Sequence, residues 1–408
     1  MGRDKIGQKC ILLTTMNFPN GGAGATYLNL FCRGLKLNGC DISVFLLKGF
    51  AFGNFTYRGP RKNVTEDGIP FTYLGFKQRP DNIFLKLCDE LISFVRMIIF
   101  LFSLITDRKT INLFVYSSEI QFNIPISVFT KIFGIKTSKF VAEIIDKSEF
   151  KGSFFRELKR YGYNFNFKYL NRIADKLIVF SYYLKNEYLN MGFNENNIIV
   201  QPNLTDFDYW KSPVGEIKYD LGYSGAPYLK DGLYDLFKAM CLLNKKQIKV
   251  TLLVIGDATF GESLIPPLKI ECEKLGISEQ VSFTGLVESL SVKKYLSECR
   301  ILAITRPSTI QTKAGFPTKL GEYYATRRPV LATNFGDMAK YFTDGEEIVM
   351  AECGDPESIA QKILWMLQNT EELDRISRKG YEKANKLLEY KNSVCRMIES
   401  INSSPVNI

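Results

Sequence analysis

The chain of 408 residues contains no histidine. That absence removes Ser-His-Asp and Cys-His pairs, histidine general bases and most transition-metal sites in one step. Chemistry is left to carboxylates, lysine, arginine, backbone dipoles or the substrate itself. Long apolar runs are also missing. Met97–Phe102 is strongly apolar, but the run it belongs to is broken by Arg96 and falls short of the roughly 20 residues of a membrane span. Ile11–Thr15 is too short for the apolar part of a signal peptide. The nine cysteines (10, 32, 40, 88, 241, 272, 299, 353 and 395) are odd in number and scattered, without metal-ligand spacing. They read as reduced packing thiols in a cytoplasmic setting, with no metal site expected.

What remains is an ordinary globular balance, 46 % apolar and 24 % charged, over a length sufficient for two full cores. The net charge of +10 is uneven: residues 1–203 hold 27 Lys/Arg against 16 Asp/Glu, and residues 204–408 hold 26 against 27. The basic excess of the first half reads either as a composition that favours lysine or as a surface facing anionic lipid or an anionic substrate. It is not gathered into a nucleic-acid reader, so no nucleic-acid partner is expected.

Periodicity alternates between strand and helix in both halves. In the first, a strand at Lys9–Thr15 leads through Pro19-Asn20-Gly21-Gly22-Ala23-Gly24 into a helix at Ala25–Leu37 and a strand at Asp41–Leu47; further strands are expected at Asn112–Tyr116, Lys139–Ile145 and Lys176–Phe180. The pattern restarts at Tyr219–Tyr223, with a helix at Asp231–Leu243, strands at Val250–Ile255, Val281–Thr284, Arg300–Ile304 and Val330–Thr333, and closing helices at Pro356–Gln368 and Glu371–Leu388. The join falls near Asn203–Pro213. The expected domains are 1–203 and 204–385, both α/β and Rossmann-like, with the helix in 386–408 returning to the first. Two such halves imply a cleft between them where ligands bind.

The segment with most chemistry is Gly315-Phe316-Pro317-Thr318-Lys319-Leu320-Gly321-Glu322-Tyr323-Tyr324-Ala325. Pro317 suits the first turn of a helix, and a helix start offers N–H groups and partial positive charge to phosphate. Lys319 and Glu322, three apart, share a helix face. The element combines a phosphate seat, a cation and a carboxylate able to accept from sugar hydroxyls.

The order of Lys230-Asp231-Gly232, Val254-Ile255-Gly256-Asp257, Val281-Ser282-Phe283-Thr284-Gly285, Gly315–Ala325 and Arg328–Thr333 resembles glycosyltransferases of GT-B fold, family 4 type. The resemblance covers most of residues 219–385, and the Gly21–Gly24 loop fits it less specifically. It implies an α/β, GT-B architecture: two Rossmann-like domains facing each other across a cleft. It implies a retaining, metal-independent transfer of a sugar from a nucleotide-sugar donor, which is a substrate, so no cofactor is expected. Position by position, Glu322 matches the carboxylate that holds the nucleotide ribose, and Lys230 matches a phosphate-binding lysine. Two departures stand out: Ala314 replaces the first Glu of the family's Glu-x7-Glu motif, and Gly225 replaces an Arg five residues before Lys230. Arg306 is the candidate for the missing cation. The expected catalytic group is therefore Glu322, Lys230 and Arg306. Gly22, Gly256, Gly285, Phe316, Pro317, Thr318 and Lys319 complete the expected donor site. Asp146 is the acid expected on the acceptor side, with Glu143 inside the preceding strand.

The acceptor is expected to be a glycan or lipid-linked sugar, in cell-surface polysaccharide synthesis. Asn82–Ile105 and the aromatic-basic stretch Lys151–Arg172 read either as core and solvated face or as contact with an anionic membrane from the cytoplasmic side. Two other readings stay open: a GT-B sugar-nucleotide epimerase, and a non-catalytic sugar-nucleotide binding module.

Overall fold

A computed structural model describes residues 8–53, 55–144, 154–212, 215–259 and 261–403. The chain divides into two compact units. The first runs to Pro202 and takes in the chain again from Tyr390; the second is Asn203–Glu389.

The first unit is built on strands β1 (Lys9–Thr14), β2 (Asp41–Leu46), β3 (Lys62–Val64), β4 (Pro70–Tyr73), β5 (Ile111–Tyr116), β6 (Thr137–Val141), β7 (Lys176–Val179) and β8 (Ile198–Val200), in the order β3-β4-β2-β1-β5-β6-β7-β8. Only the β3–β4 pair is antiparallel. The central strands β1 and β5 are buried at all but one position each, which explains their largely apolar sequence: a parallel sheet is covered on both faces. The covering helices are α1 (Ala23–Leu37), α2 (Ile83–Ser103), α3 (Ile120–Phe133), α4 (Phe154–Phe165) and α5 (Tyr182–Asn190). Their starts obey local chemistry. The Asn82 side chain accepts from Phe84 N at 2.8 Å, and Ser181 Oγ accepts from Leu184 N at 3.2 Å, each satisfying an orphan N–H of the first turn.

The second unit holds β9 (Tyr219–Ser224), β10 (Leu252–Ile255), β11 (Val281–Phe283), β12 (Cys299–Ile304), β13 (Val330–Thr333) and β14 (Val349–Ala351), all parallel, in the order β11-β10-β9-β12-β13-β14. Its helices are α6 (Phe207–Trp210), α7 (Leu233–Lys245), α8 (Ile265–Leu275), α9 (Ser289–Ser297), α10 (Ile310–Ala314), α11 (Thr318–Ala325), α12 (Met338–Tyr341), α13 (Pro356–Gln368) and α14 (Thr370–Leu388). Strand side chains alternate between two cores. Leu221, Val254, Ile301 and Leu331 face one, and Leu253, Leu302, Ile304 and Val330 face the other. The order reverses around β9, so the carboxyl ends of β9 and β12 form the switch point where open α/β sheets bind ligands. The last helix, α15 (Tyr390–Asn402), packs on α1, where a Cβ added to Gly34 would fall 2.6 Å from Val394.

Most expected elements are present within a residue or two. Three differ for stated reasons. The strand expected at Lys139–Ile145 is Thr137–Val141, and Glu143 lies past its end, exposed rather than buried within it. The helix expected from Asp231 starts at Leu233, because Gly232 interrupts it in the left-handed conformation, φ +74°. Pro317 is the cap before α11 rather than its first helical residue; its ψ of 120° is extended. The short strands β3, β4, β8 and β14 were not among the expected elements.

Candidate functional site

The site is assembled at the switch point of the second unit. β9 ends at Ser224 and turns at Gly225, φ +108°. The next turn carries Lys230 and Asp231 into Gly232. A Cβ on Gly232 would fall 1.7 Å from the Thr305 carbonyl oxygen, and Thr305 Oγ1 donates to Gly232 O at 3.0 Å. Glycine is therefore required there by both conformation and space. This close approach brings the end of β12, with Arg306, against the start of α7.

Asp231, 3 % exposed, sits at the centre. Its Oδ1 accepts from Lys319 Nζ at 3.0 Å, from Arg306 Nη2 at 3.0 Å and from Arg306 Nε at 3.2 Å. Burial works to raise the Asp231 carboxyl, but the two cations outweigh it and hold it below the usual carboxylate range. Burial pushes Lys319 down to about 8 against the pull of Asp231. Lys319 Nζ also lies 3.9 Å from the centroid of the Tyr223 ring, a cation–π contact. Two cations share one carboxylate, so the cluster carries net positive charge.

Lys319 leaves α11 from its first turn, and Glu322 follows one turn later. The two do not pair: Lys319 is committed to Asp231. Glu322 is half-buried and makes no hydrogen bond or ion pair to any described residue. Burial raises its carboxyl to about 7, with Lys319 opposing. A carboxylate kept from water without a protein donor is suited to accept from hydroxyls of a ligand.

The other expected donor residues divide by surroundings. Thr318 opens α11, whose first internal bond is Leu320 N to Pro317 O at 3.2 Å, so the preceding N–H groups are not consumed by the helix. Phe316 is a core residue: its ring meets Tyr341 edge-on at 5.5 Å and its carbonyl accepts from Asn203 Nδ2 at 2.6 Å. Lys230 is half-buried, with its Nζ 5.9 Å from the Tyr228 ring and no ion pair among the described residues. Gly256, φ +107°, closes β10 beside Gly225, and Gly285, φ +70°, opens onto free space. Gly22 caps α1 with φ −77° and would accommodate a Cβ; the steric demand falls on Gly21, where a Cβ would lie 2.9 Å from Asn17 and Ala25. Asp146 lies outside the described residues.

Sequence reasoning missed the residue at the centre. Asp231 was visible only as the middle of a Lys-Asp-Gly turn; its partners lie 75 and 88 positions away. It also passed over Asp206-Phe207-Asp208, which has an Asp-x-Asp spacing. Asp206 is a helix cap, its Oδ1 accepting from Tyr209 N at 2.9 Å, and no group of three metal-ligating side chains occurs among the described residues. The two departures acquire a physical context. A Cβ at Gly225 would point at Lys319 Nζ from 3.5 Å, so Lys319 already brings a cation to that side. Ala314 is fully buried.

The family described as Glycosyl transferases group 1 matches residues 218–369. An uncharacterized glycosyltransferase of Methanocaldococcus jannaschii is 25 % identical over 248 residues, 60 % of this chain and 61 % of that relative's own length. Among solved structures, HepE of Anabaena in complex with UDP superposes with a TM-score of 0.70 at 15 % identity, covering 97 % of this chain and 100 % of its own. The sucrose-phosphate synthase of Thermosynechococcus elongatus superposes with a TM-score of 0.69 at 13 % identity, covering 96 % of this chain and 98 % of its own. The match to the glycosyl transferases group 1 family is confined to residues 218–369, and the solved structures show that the chain has the GT-B fold.

Proposed function

We propose that the protein is a retaining glycosyltransferase of the family 4 type. It takes a sugar from a nucleotide-sugar donor to a glycan or lipid-linked acceptor, in cell-surface polysaccharide synthesis, without a metal ion. The observation that carries this reading is the unpartnered Glu322 one turn beyond Lys319, on a helix start held by Asp231 and Arg306. Glu322 accepts from the ribose hydroxyls. The N–H groups at Thr318 and Lys319, with Lys230 and the outer side of Arg306, receive the diphosphate. HepE is solved with UDP and with UDP-glucose, which makes UDP-sugars the first donors to test.

As the C1–O bond of the donor breaks, negative charge grows on the leaving diphosphate, where preorganised cations and a helix N-terminus stabilise it. A phosphate oxygen accepts the proton of the acceptor hydroxyl on the same face as that hydroxyl bonds to C1. This route uses no protein base, consistent with a histidine-free chain. On the first unit, a small cavity of about 80 Å³ at the carboxyl ends of β5 and β6 is lined by Tyr116, Glu143 and Asn166, and the buried Asn166 Oδ1 has no hydrogen-bond partner; it is the candidate acceptor end. The enzyme works from the cytoplasmic face of a membrane that it contacts peripherally.

The test is a thermal-shift screen of UDP-, GDP- and dTDP-sugars, since a ligand of the native state raises the midpoint, followed by assay of nucleoside diphosphate release. A shift with release supports the transferase. A shift without turnover under any acceptor would leave a binding module, and interconversion of the sugar without release would make it an epimerase.

A further inference from the structure

The outer layer of the first unit turns an exceptional number of apolar side chains to solvent. In α2 every exposed position from Ile83 to Phe102 is apolar, and Ile83 and Ile99 are 75 % and 65 % exposed. Phe84, Leu87, Leu91, Val95, Ile99 and Phe102 follow at intervals of three or four, which is one helical stripe. The opposite stripe, Asp89, Ser93, Met97 and Leu101, is the buried one. Of the charges of α2, Asp89 lies in the buried stripe and accepts from Phe76 N at 2.6 Å, Arg96 Nη1 donates to Leu74 O at 2.9 Å, Glu90 lies 3.5 Å from Lys48 Nζ, and Lys86 is half-buried.

Two neighbouring helices continue the surface. On α3 the exposed positions include Ile124, Val128 and Ile132; on α4 they include Leu158, Tyr161 and Phe165. The Phe102 and Phe129 rings meet edge-on at 5.1 Å between α2 and α3, and Gly162 lets α4 approach Ile120 of α3 so closely that a Cβ there would lie 3.2 Å from Ile120 Cγ2. Three adjacent helices thus present apolar stripes on one side. Contiguous exposed apolar surface of that kind marks an interaction site.

A second observation gives the surface its charge. A groove of about 910 Å³ runs along its edge, at the amino ends of β5, β6 and β7, and shares Val128 and Ile132 with the apolar face. Its charged lining is Lys131, Lys136, Arg172, Lys176 and Asp175; the Asp175 carboxylate is turned inward, accepting from Thr137 N at 2.8 Å. The groove lies at the end of the sheet opposite to the carboxyl ends where α/β folds bind their ligands, so it is separate from the donor and acceptor sites.

We infer that the α2–α3–α4 face of the first unit docks on an anionic lipid bilayer, with the α2 stripe entering the acyl boundary and the basic groove receiving headgroup phosphates. Apolar side chains flanked by lysine and arginine match the two layers of a bilayer surface. A second copy of the chain would set these cations against each other, so the bilayer is the better complement. Among the described residues no helix is long and apolar enough to cross a membrane, and the face is an external one. The inference rests on the peripheral-membrane part of the proposed function and is independent of the donor site.

Both tryptophans of the chain, Trp210 and Trp365, lie in the second unit, which allows a conservative reporter. In the full chain, Ile99→Trp is expected to blue-shift its emission when phosphatidylglycerol-containing vesicles are added, and not with phosphatidylcholine alone. Co-sedimentation with the anionic vesicles is expected to weaken at least tenfold in the double variant Leu91→Glu, Ile99→Glu, and to weaken with added salt. The double variant Lys131→Glu, Arg172→Glu is expected to lose the preference for anionic over neutral vesicles. Absence of both the shift and co-sedimentation would overturn the inference. So would light scattering that shows a dimer which the α2 substitutions split, since a second copy would then cover the face. The UDP thermal shift of every variant is expected to match the parent; its loss from the parent itself would strike the donor reading and leave this one standing.

Discussion

Lys139 in the first unit and Lys319 in the second are both buried, and they do different things. Lys139 of β6 is 2 % exposed and meets only neutral acceptors, Ser127 Oγ at 2.7 Å and Leu170 O at 2.9 Å. Burial pushes it down to about 7. Lys319 of α11 is 7 % exposed but meets the Asp231 carboxylate, with Arg306 on the same oxygen. A buried cation without a counter-charge sheds its proton readily, whereas Asp231 pulls Lys319 back toward its charged form against burial and the neighbouring Arg306. The outer surfaces differ in the same sense. Exposed large apolar residues in the second unit are spread over separate elements, such as Ile217, Ile270 and Leu290, whereas in the first they line up along α2.

The largest expected effect tests the charged side of this contrast. Asp231→Ala leaves Lys319 and Arg306 facing each other without their shared carboxylate, and is expected to cost about 3–5 kcal/mol in chemical denaturation. A loss below about 1 kcal/mol would mean the three groups are not coupled. Next, Gly232→Ala forces a Cβ into the Thr305 carbonyl at a left-handed position. It is expected to cost about 1–3 kcal/mol and to weaken UDP binding as well, because the same turn carries Lys230 and Asp231; equal stability and binding in the variant would show that the turn relaxes freely.

Glu322→Ala is expected to weaken UDP binding at least tenfold, about 1.4 kcal/mol, in calorimetric titration, without destabilising the ligand-free protein. The sign follows from its shift. A carboxyl raised from 4.5 to about 7 on folding favours the protonated form. The unfolded chain then ionises first as pH rises, and ligand-free stability falls between about pH 4.5 and 7. Glu322→Gln should abolish that fall, and a parallel profile for parent and variant would refute the assignment.

The remaining test concerns Lys139. Its folded-state value lies below its unfolded one, so the unfolded chain binds the extra proton between about pH 7 and 10, and stability rises with pH across that window. Lys139→Met should flatten the rise in that window. An unchanged slope would show that Lys139 stays charged, and the contrast with Lys319 would vanish.

Much of the fold was legible because local rules sufficed. Glycine and proline punctuation, strands of four to six apolar residues and helices of eight or more revealed the two α/β halves. Of the three-residue strands among the described residues, β3, β8 and β14 went unread, whereas β11 was legible as Val281–Thr284. The start of α7 was misplaced by two residues because Gly232 takes its conformation from contact with Thr305, not from its own neighbours. On α11, the shared face of Lys319 and Glu322 was readable from spacing. Their separation into a buried, partnered cation and an unpartnered acid was not.

By itself the sequence determined the alternation of elements, the absence of histidine chemistry and the helix start at Thr318 with its carboxylate one turn later, because each follows from residues adjacent in the chain. Tertiary structure alone decided which charges meet and which faces stay open. Asp231 finds Arg306 and Lys319 only when β9, β12 and α11 converge at one end of a sheet. In α2, apolar on nearly every side, periodicity cannot separate the stripe that packs from the stripe that faces outward; only the sheet beneath it can.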